Sequence, residues 1–382
     1  MRIIHTADWH LGRIFYGVHL TPDQAHVLDQ FINLVRDAKP DVVVIAGDVY
    51  DRAVPPPEAV SLLDETLSRL VIGLKTRVVL IAGNHDSPER LGFGTRLLSQ
   101  SGLHVAARLG LDPVWTSPTD AHGPVNICAI PYAEPALARE RLGNPDLFDH
   151  ATAMQAAIAK ARETRPRGVR SVLVTHALVV GSEESESERP LSVGGAGAIR
   201  PSVFDGFSFV ALGHLHRPQR AGNDRIHYSG SLLRYSFSEA GHSKSVNLVE
   251  IDAAGRASVE RIALVPRRAV RCVTGTIEEL LRAPVGSEAD DYLSVTLRDK
   301  GPVFDPIGRL RAKYPNVLEL KRAELLARGD ASARVDYRTL SDREIFTSFF
   351  QTVRGEAASE GEINAYLTVV ERVRAMERET PP

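Results

Sequence analysis

The sequence predicts an α/β protein in which two sheets form an α+β sandwich flanked by helices. Three observations support this class. Short apolar runs rich in β-branched residues recur through the first 265 residues, and Gly, Asp or His bounds each run, as is typical of buried strands. Amphipathic helical stretches separate these runs. Beyond residue 265 the pattern changes to a small α+β unit followed by two amphipathic helices.

The predicted strands of the first 265 residues are short and apolar. They lie at Ile3–Ile4, Val42–Ile45, Val78–Ile81, Ile127–Ile130, Val172–Val174 and Phe209–Leu212. The first helix is predicted to begin with Thr21 as its N-cap, Pro22 in its first turn and Gln24 at the capping-box position. Further helices are predicted over residues 58–74 and 151–163. Gly and Ser turns between Tyr228 and Leu264 predict a mainly antiparallel second sheet.

A composition shift near Pro266 predicts the domain organisation: residues 1–265, 266–335 and 336–382. In the middle domain, Val270–Thr274 and Leu293–Leu297 resemble strands and residues 306–314 resemble a helix. Residues 181–200 form a polar loop rich in Gly and Ser. This loop is either a solvated surface loop or a flap beside a functional site, because it lies between two of the motifs described below.

Composition sets outer limits on function. The chain has 382 residues, of which 43% are hydrophobic, so it can bury more than one core. Its formal net charge of −2 gives no overall basic signature, although a local basic surface remains compatible with DNA binding. Cys128 and Cys272 lack metal-ligand or redox spacing, which favours a reducing compartment. A strand at the N-terminus and the absence of a long apolar run predict a cytoplasmic protein without signal peptide or membrane span.

Five polar motifs each follow a predicted strand. They are Asp8-Trp9-His10, Gly47-Asp48, Gly83-Asn84-His85-Asp86, Thr175-His176 and Gly213-His214-Leu215-His216. Carboxylate, amide and imidazole donors of this kind suit two borderline-hard cations such as Mn²⁺ or Mg²⁺. Asp-x-His and Gly-Asp alone are common and Gly-Asn-His-Asp after a strand is far less so, but all five motifs in this order and context rarely occur together by chance. Asp48 is the expected bridge between the two cations, because Gly47 lets the chain turn so that the carboxylate faces them.

The motif order resembles the calcineurin-like metallophosphoesterase superfamily. The longer matches resemble one branch of it, the SbcD family of nuclease subunits from double-strand-break repair. They are His5-Thr6-Ala7-Asp8-Trp9-His10-Leu11-Gly12, Gly47-Asp48-Val49-Tyr50-Asp51-Arg52, Gly213-His214-Leu215-His216-Arg217 and Tyr228-Ser229-Gly230-Ser231. The resemblance is strong over residues 1–265 and weaker in the C-terminal helices. It implies a two-sheet metallophosphoesterase core with a small capping domain.

The resemblance also implies residue roles. One metal would be held by Asp8, His10, Asp48 and His216, and the other by Asp48, Asn84, His176 and His214. His85 would protonate the leaving oxygen or stabilise charge in the transition state. Asp86 would either orient His85 or brace the loop. Asp51 stands where archaeal relatives carry a His, and we expect it to pair with Arg52 or with a backbone amide.

The activity implied is that of a two-metal DNA nuclease, with Mn²⁺ as the expected metal. It would combine 3′–5′ double-strand exonuclease with single-strand and hairpin endonuclease activity. It would act with an SbcC-type SMC ATPase in DNA repair, replication and recombination, as a homodimer within a heterotetramer at the nucleoid. Two alternatives remain open: a phosphoesterase for small molecules or proteins, and a non-catalytic scaffold for a repair ATPase. The long C-terminal region disfavours the first alternative, and the complete motif set disfavours the second.

Contacts with DNA and with the ATPase are predicted from position alone. The DNA candidates lie close in sequence to the motifs and are Arg13, Tyr16, Arg52, Arg90 and Arg217, with Arg234 as a further one. Taken singly, residues of this kind are more often ordinary surface charges. The partner candidates form an apolar stripe at helical spacing: Ile345, Phe346, Phe349 and Phe350. This stripe either docks on the coiled-coil base of the ATPase or packs within its own domain.

Overall fold

The computed structural model describes residues 1–110, 112–166, 168, 170–191, 197–284, 286–323 and 342–379. The chain divides into two compact units, residues 1–321 and 322–382. The strands of the first unit up to residue 130 are β1 (Arg2–Thr6), β2 (Ile14–Phe15), β3 (Val18–His19), β4 (Val42–Ala46), β5 (Arg77–Ile81), β6 (Leu103–Ala106), β7 (Val114–Thr116), β8 (Thr119–Asp120), β9 (Gly123–Pro124) and β10 (Asn126–Ile130). The later strands are β11 (Ser171–His176), β12 (Phe209–Gly213), β13 (Gln219–Arg220), β14 (Ile226–Tyr228), β15 (Ser245–Ile251), β16 (Ala257–Ala263), β17 (Val270–Gly275), β18 (Tyr292–Leu297) and β19 (Val317–Arg322).

The α-helices lie between the strands and at the C-terminal end. They are α1 (Thr21–Ala38), α2 (Pro57–Ser68), α3 (Pro88–Leu91), α4 (Thr95–Gln100), α5 (Pro135–Leu142), α6 (His150–Glu163), α7 (Ile277–Arg282), α8 (Pro306–Arg311), α9 (Asp342–Arg354) and α10 (Glu360–Glu379). A π-helical turn, Arg69–Gly73, continues α2. Short 3₁₀ turns occur at Pro201–Phe204, Phe237–Glu239 and Ser287–Asp290.

Two six-stranded sheets face each other. The first has the strand order β16-β15-β1-β4-β5-β6, and the second has the order β13-β14-β12-β11-β10-β7. Strands β1, β4, β5 and β6 run parallel, as do β10, β11, β12 and β14. Buried side chains of both sheets share one apolar layer, in which Val44 and Ile81 of the first sheet join Ile127 and Val174 of the second. The predicted two-sheet α/β sandwich is confirmed.

Helices cover the outer faces of the sheets. Phe31 and Val35 of α1 pack in a core with Val43 and Leu80 of the first sheet. Met154 of α6 packs in a second core with residues of the second sheet, including Leu173 and Val210. Parallel strands buried on both faces have to be apolar throughout, which is why β4 and β12 contain continuous runs of buried residues.

The prediction that residues 228–264 form an antiparallel second sheet is wrong in one respect. β15 and β16 are antiparallel as expected, but β15 pairs with β1 and extends the first sheet. The second sheet is built earlier in the chain and its centre is parallel. A hairpin sequence reveals its internal pairing through local turns, whereas the sheet edge that accepts it is decided by contacts far away in sequence.

The start of α1 also differs from the prediction. Thr21 is the first helical residue, Leu20 occupies the cap position, and no side chain caps the helix. Gln24, expected in a capping box, is buried, and its amide hydrogen-bonds to the loop that follows β1. The side chain is therefore used in tertiary structure, which outweighs its local capping propensity.

A small α+β region follows residue 265 within the first unit. Its sheet has the order β17-β18-β19, with β17 and β18 parallel, and Ile277, Leu293 and Leu310 lie in its core. Arg268 and the hydroxyl of Tyr292 both contact Asp23 of α1, each at 3.0 Å. The predicted boundaries at residues 265 and 335 stay predictions.

The second unit contains α9 and α10. The rings of Phe346 and Tyr366 stack with centroids 4.4 Å apart, and Ile363 is buried. Phe349 and Val353 are exposed. The side chain of Ile345 lies outside the described side chains. None of the described helices is long and apolar enough to cross a membrane.

Candidate metal centre

The five motifs meet at one edge of the sandwich. Asp8 and His10 follow β1, and Asp48 follows β4, while Asn84 and His85 come after β5. From the second sheet, His176 ends β11, and the pair His214 and His216 follows β12. β1, β4 and β5 are parallel to one another in the first sheet, as are β11 and β12 in the second, so their carboxyl ends open at a common edge, where ligand sites of α/β sheets form.

Strained backbone marks this edge. Asp8, His10, Asp48 and His214 adopt positive φ angles of 53°, 46°, 49° and 107°. Non-glycine residues rarely adopt this left-handed conformation, which costs on the order of 1–3 kcal/mol per residue and is found most often at functional sites. Neighbouring loops hold the conformation, because the amides of Asp8 and His10 donate to the carbonyls of Gly47 and Asp48, each at 3.0 Å.

Glycine is required where the loops approach each other. At Gly47, which has a φ of +89°, a Cβ atom would lie 2.6 Å from Nδ1 of His176. At Gly83, a Cβ atom would overlap the Asp48 carboxylate. Both motif glycines therefore let the backbone pass close to side chains of the site.

Donor atoms from different motifs converge at short distances. Nε2 of His10 lies 3.0 Å from Nε2 of His216, and Nε2 of His176 lies 2.9 Å from Oδ1 of Asn84. Neighbouring donors around an octahedral cation with bonds of about 2.1 Å are separated by about 3 Å. Oδ2 of Asp48 lies 3.7 Å from Nε2 of His10 and 3.5 Å from Nε2 of His176, so it faces both groups.

Hydrogen bonds fix the free nitrogens. Nδ1 of His176 lies 2.9 Å from the carbonyl of Ala46. A carbonyl only accepts, so Nδ1 carries the proton and neutral His176 keeps a lone pair on Nε2. That lone pair faces Oδ1 of Asn84, which also presents lone pairs. Two facing lone pairs are repulsive unless a cation lies between them, and this arrangement suits a metal.

Buried atoms without partners support the same conclusion. Nδ1 of His10 and Nε2 of His214 are buried and have no hydrogen-bond partner among the described residues. Burial lowers the pKa of both imidazoles, and the neighbouring histidines lower it further. Burial and the nearby Asp48 raise the pKa of the Asp8 carboxyl. So dense a group of buried donors stabilises a cation far better than it stabilises its own protons. The residues present fit divalent cations.

Two triplets of acidic and imidazole donors at this edge have ligand atoms within 4.8 Å of one another: Asp8, His10 and His216 form one, and Asp8, Asp48 and His176 form the other. A third triplet, His10, Asp51 and His85, lies beside them. The structure thus brings all the predicted ligand positions together. Asn84 contacts His176, and the backbone amide of His214 donates to Asp8 at 2.9 Å.

Comparison with known proteins agrees with this geometry. Residues 1–218 match the family described as calcineurin-like phosphoesterase. The chain belongs to that family. Residues 266–354 match a second family, SbcD_C, described as the type 5 capsule protein repressor C-terminal domain. The two matches together confirm the predicted resemblance to SbcD-type chains, and they identify this calcineurin-like phosphoesterase as a hydrolase of phosphodiester bonds.

Two solved structures share a distant likeness. The protein TT1561 from Thermus thermophilus is 13% identical, with a TM-score of 0.38, over 68% of this chain and 98% of its own. A dimetal phosphatase from Danio rerio is 14% identical, with a TM-score of 0.42, over 69% of this chain and 98% of its own.

His85 is the accessible imidazole of this phosphoesterase site. Its side chain is 11% exposed, whereas those of His10, His176 and His216 are 1% exposed or less. Its Nδ1 donates to the carbonyl of Asp51 at 2.8 Å, which leaves Nε2 facing Oδ2 of Asp48 at 3.9 Å. The backbone amide of His85 donates to the other carboxylate oxygen of Asp48 at 2.9 Å.

Asp86 hydrogen-bonds to the backbone around it. Its carboxylate accepts from the amides of Val49, Tyr50 and Gly83 at 3.1, 2.9 and 2.9 Å. Burial raises the pKa of Asp86 to about 7, helped by the neighbouring charge of Asp48. These bonds join the loops after β4 and β5, and they favour the bracing alternative over the one in which Asp86 orients His85.

Several supporting residues were missed by sequence reasoning. The amide of Gln24 donates to the carbonyls of Trp9 and His10 at 3.1 and 2.7 Å, and its oxygen accepts from Gly12 at 3.1 Å. Ser187, Glu239 and Lys244 surround His216. Burial alone would raise the pKa of Glu239, but Lys244 and nearby hydrogen bonds outweigh burial and hold it low. The position of Ser187 in the polar loop between two motifs was the one available signal.

The predicted DNA contacts occupy varied environments. Arg13 donates to the carboxylate of Asp51 at 2.8 Å, so this carboxylate pairs with Arg13 rather than with Arg52 or a backbone amide, the two partners expected. Tyr16 is 54% exposed, and its hydroxyl lies 3.3 Å from Glu319 of the small region. Arg52 and Arg90 are exposed.

Two further arginines have protein partners. Arg217 pairs with Glu183. Nε of Arg234 donates to the carbonyl of His242 at 2.9 Å, and the residue lines a cavity of about 170 Å³ together with Arg268 and Tyr292. A role for any of these residues in DNA binding stays a prediction.

Proposed function

We propose that this phosphoesterase is a two-metal DNA nuclease and that Mn²⁺ is its metal. Asp8, His10, Asp48 and His216 would hold one cation, and Asp48, Asn84, His176 and His214 the other. The observation that carries the proposal is the position of Asp48 Oδ2, which faces His10 at 3.7 Å and His176 at 3.5 Å. A carboxylate that faces donors of both sets is suited to bridging.

When bound, two divalent cations supply Lewis acidity, which lowers the pKa of water and neutralises phosphate charge. The protein's own residues then orient the reaction. His85 is held by the carbonyl of Asp51, so its Nε2 is directed and its edge is accessible. A protonated Nε2 could donate to the leaving oxygen, or to a phosphate oxygen on which charge develops. Asp86 keeps the His85 loop and the Asp48 loop in register.

DNA is the substrate favoured by the domain content. A region matching the SbcD C-terminal family follows the catalytic domain, and a minimal phosphoesterase does not need it. Exposed Arg52 and Arg90 lie four residues after Asp48 and four after Asp86, where they could contact a phosphate backbone. Action on DNA would place the protein at the nucleoid.

The deciding experiment is a cleavage assay. Purified protein with Mn²⁺ is incubated with a labelled hairpin and a labelled blunt duplex, for wild type, His85→Ala and His122→Ala. His122 is exposed and serves as the matched histidine control. We expect wild type and His122→Ala to cut both DNAs and His85→Ala to lose about 10²–10⁴-fold in rate.

The same assay separates the alternatives. Hydrolysis of a nitrophenyl phosphodiester without DNA cleavage would favour a small-molecule phosphoesterase. No hydrolysis of either substrate, together with retained ATPase binding, would favour the scaffold.

We further propose that α9 docks on the coiled-coil base of an SbcC-type ATPase. Phe349 is 63% exposed on this helix, although Phe346 packs against Tyr366. Phe349→Asp should weaken co-purification with the ATPase and leave nuclease activity intact. Phe304→Asp is the matched control, because Phe304 is also exposed but lies in the first unit. Equal co-purification of both variants would argue against α9 as the docking element.

A homodimer within the same assembly is supported by an exposed apolar face on α4 and the turn before it. Phe93 is 84% exposed and Leu97 is 74% exposed, and both follow the His85 motif closely. Exposed apolar patches often mark protein–protein interaction sites. Phe93→Glu should convert a dimer to a monomer in sedimentation experiments. An unchanged mass would exclude this face as the dimer surface.

A further inference from the structure

His216 is held from one side by residues outside the five motifs. Ser187 contacts its ring, Glu188 contacts its amide, and Lys244 contacts its carbonyl. Behind Ser187 lies Glu239, which is fully buried and paired with Lys244. Ser187 and Glu188 belong to the polar loop between the His176 and His214 motifs, so this loop reaches the candidate metal centre.

The donors and acceptors along the series Glu239, Ser187 and His216 fix the positions of its protons. Oγ of Ser187 lies 2.5 Å from Oε1 of Glu239 and 2.6 Å from Nδ1 of His216. The carboxylate of Glu239 only accepts, and the hydroxyl has a single proton. Ser187 therefore donates to Glu239 and accepts from Nδ1 of His216. In the neutral form of this ring the lone pair is therefore on Nε2, which lies 3.0 Å from Nε2 of His10.

The backbone of His216 is fixed by the same residues. Its amide donates to Oε1 of Glu188 at 2.7 Å, and its carbonyl accepts from Nζ of Lys244 at 2.7 Å. Ser185 orients Glu188, since its amide and hydroxyl donate to that carboxylate at 2.5 and 2.8 Å. The segment 185–188 thus contacts both the ring and the main chain of one candidate ligand.

We infer that Ser187 is a positioning residue for the metal centre and that docking of residues 185–188 is coupled to metal binding. Ser187 links His216 to the buried charge of Glu239. This link fixes the tautomer of the imidazole and makes Nε2 a stronger metal ligand. Outer partners of this kind contribute about 10–100-fold to metal affinity. The coupling is reciprocal, so a bound cation also stabilises the docked segment. The inference rests on the proposed metal-dependent function.

The first test is metal affinity, which is independent of catalysis. Full-length protein is treated with chelator, dialysed and titrated with Mn²⁺ by calorimetry as wild type, Ser187→Ala, Ser187→Thr and Ser202→Ala. Ser202 is an exposed serine and provides the matched control. We expect a dissociation constant about 10–100-fold higher for Ser187→Ala, and values near wild type for Ser187→Thr and Ser202→Ala.

The second test is amide hydrogen exchange of residues 183–191 with and without Mn²⁺. We expect Mn²⁺ to slow exchange in wild type and in Ser202→Ala, and to do so far less in Ser187→Ala. Wild-type affinity in Ser187→Ala, or equal slowing of exchange in that variant, would overturn the inference. Equal weakening in Ser187→Thr would overturn it too, because the hydroxyl would then be irrelevant.

These outcomes separate the inference from the nuclease proposal. If wild type binds Mn²⁺ and Ser187→Ala binds it weakly, the inference stands even when no DNA is cut. If DNA is cut and both proteins bind Mn²⁺ equally, only the inference fails. A wild-type protein that bound no Mn²⁺ would overturn both.

Discussion

The two sheets contribute different chemistry to the shared edge. Loops of the first sheet supply the oxygen donors of the site, which are the carboxylates of Asp8 and Asp48 and the neutral amide of Asn84, together with His10. Loops of the second sheet supply only imidazoles, from His176, His214 and His216. Neither sheet carries a complete set of donors. The site therefore forms only when the two sheets have packed together, and its activity depends on that packing.

The two sides are also supported differently. On the first sheet, side chains brace the backbone: Asp86 binds the amides of the Asp48 loop, and Gln24 binds the carbonyls of the Asp8 loop. On the second sheet, the imidazoles are held as well, His176 by a carbonyl and His216 by Ser187, while Glu188 and Lys244 bind the backbone of His216. Rigid loops suit short carboxylates, whereas an imidazole has two nitrogens and needs one of them fixed.

The largest effect is expected where the two sides meet. Asp48→Ala removes the carboxylate that faces histidines of both sheets, so both cations should be lost together. Hydrolysis of a phosphodiester should fall on the order of 10³-fold or more, which exceeds the 10–100-fold cost of losing an outer partner. Calorimetry should show no tight Mn²⁺ site. Substantial residual activity, or loss of one cation only, would contradict the bridging role.

The contact of His5 with the second sheet can be tested through the pH dependence of stability. Its Nε2 donates to the carbonyl of Leu212 at 3.1 Å, and Asn247 donates to Nδ1 at 3.2 Å. Burial lowers the pKa of His5 to about 3. As the pH falls, the unfolded chain therefore protonates His5 before the folded protein does. The contribution of neutral His5 to the stability of the fold is complete above pH 6.5 and is lost as the pH falls towards 3.

The measurement compares unfolding free energies of wild type and His5→Gln between pH 7.5 and 3.5. On acidification, the free energy of unfolding of wild type should fall relative to that of His5→Gln by on the order of 4 kcal/mol, because each pKa unit corresponds to about 1.4 kcal/mol. A pH-independent difference would show that His5 stays neutral in both states or titrates normally in both.

A smaller effect is expected at Gln24, on the first-sheet side. Gln24→Ala leaves the buried amide of Gly12 without its partner and removes one of the two donors to the carbonyl of His10, which also accepts from the amide of Arg13. Since one unsatisfied buried group costs about 1–3 kcal/mol, the free energy of unfolding should fall by about that amount. Gln30→Ala, on the same helix with exposed contacts, should change stability by less than about 1 kcal/mol. If chemical denaturation showed equal losses of unfolding free energy in the two variants, the buried contacts of Gln24 would contribute no more to stability than the exposed ones of Gln30.

How far could the sequence predict these features? The five motifs were predictable because each follows an apolar strand, and periodicity and residue type are both local signals. The supporting contacts were not. Ser187 and Glu239 are separated by 52 positions, and Gln24 lies 14 positions from His10, so only the folded chain reveals them. The same holds for Asp51, whose partner Arg13 is 38 positions away while Arg52 is adjacent.

The smallest effect is expected for a single DNA contact beside the site. Arg52 is exposed and forms no ion pair with any described residue. If it contacts a phosphate, Arg52→Ala should weaken DNA binding several-fold and reduce the slope of log affinity against log salt by about 0.9. Arg220→Ala, which removes an exposed arginine already paired with Asp224, should leave that slope unchanged. Identical slopes in all three proteins would remove Arg52 from the binding surface.

The position of β1 in the first sheet bears on synthesis of the protein. Among the strands of this sheet β1 is made first, yet it lies between β4 and β15, and β15 comprises residues 245–251. A chain still on the ribosome cannot complete this sheet until those residues have emerged. The amide of His214, which binds the Asp8 carboxylate, also arrives late. Fragments released by premature termination before β15 should therefore be incapable of hydrolysis, so incomplete translation would not leave an active phosphoesterase in the cell.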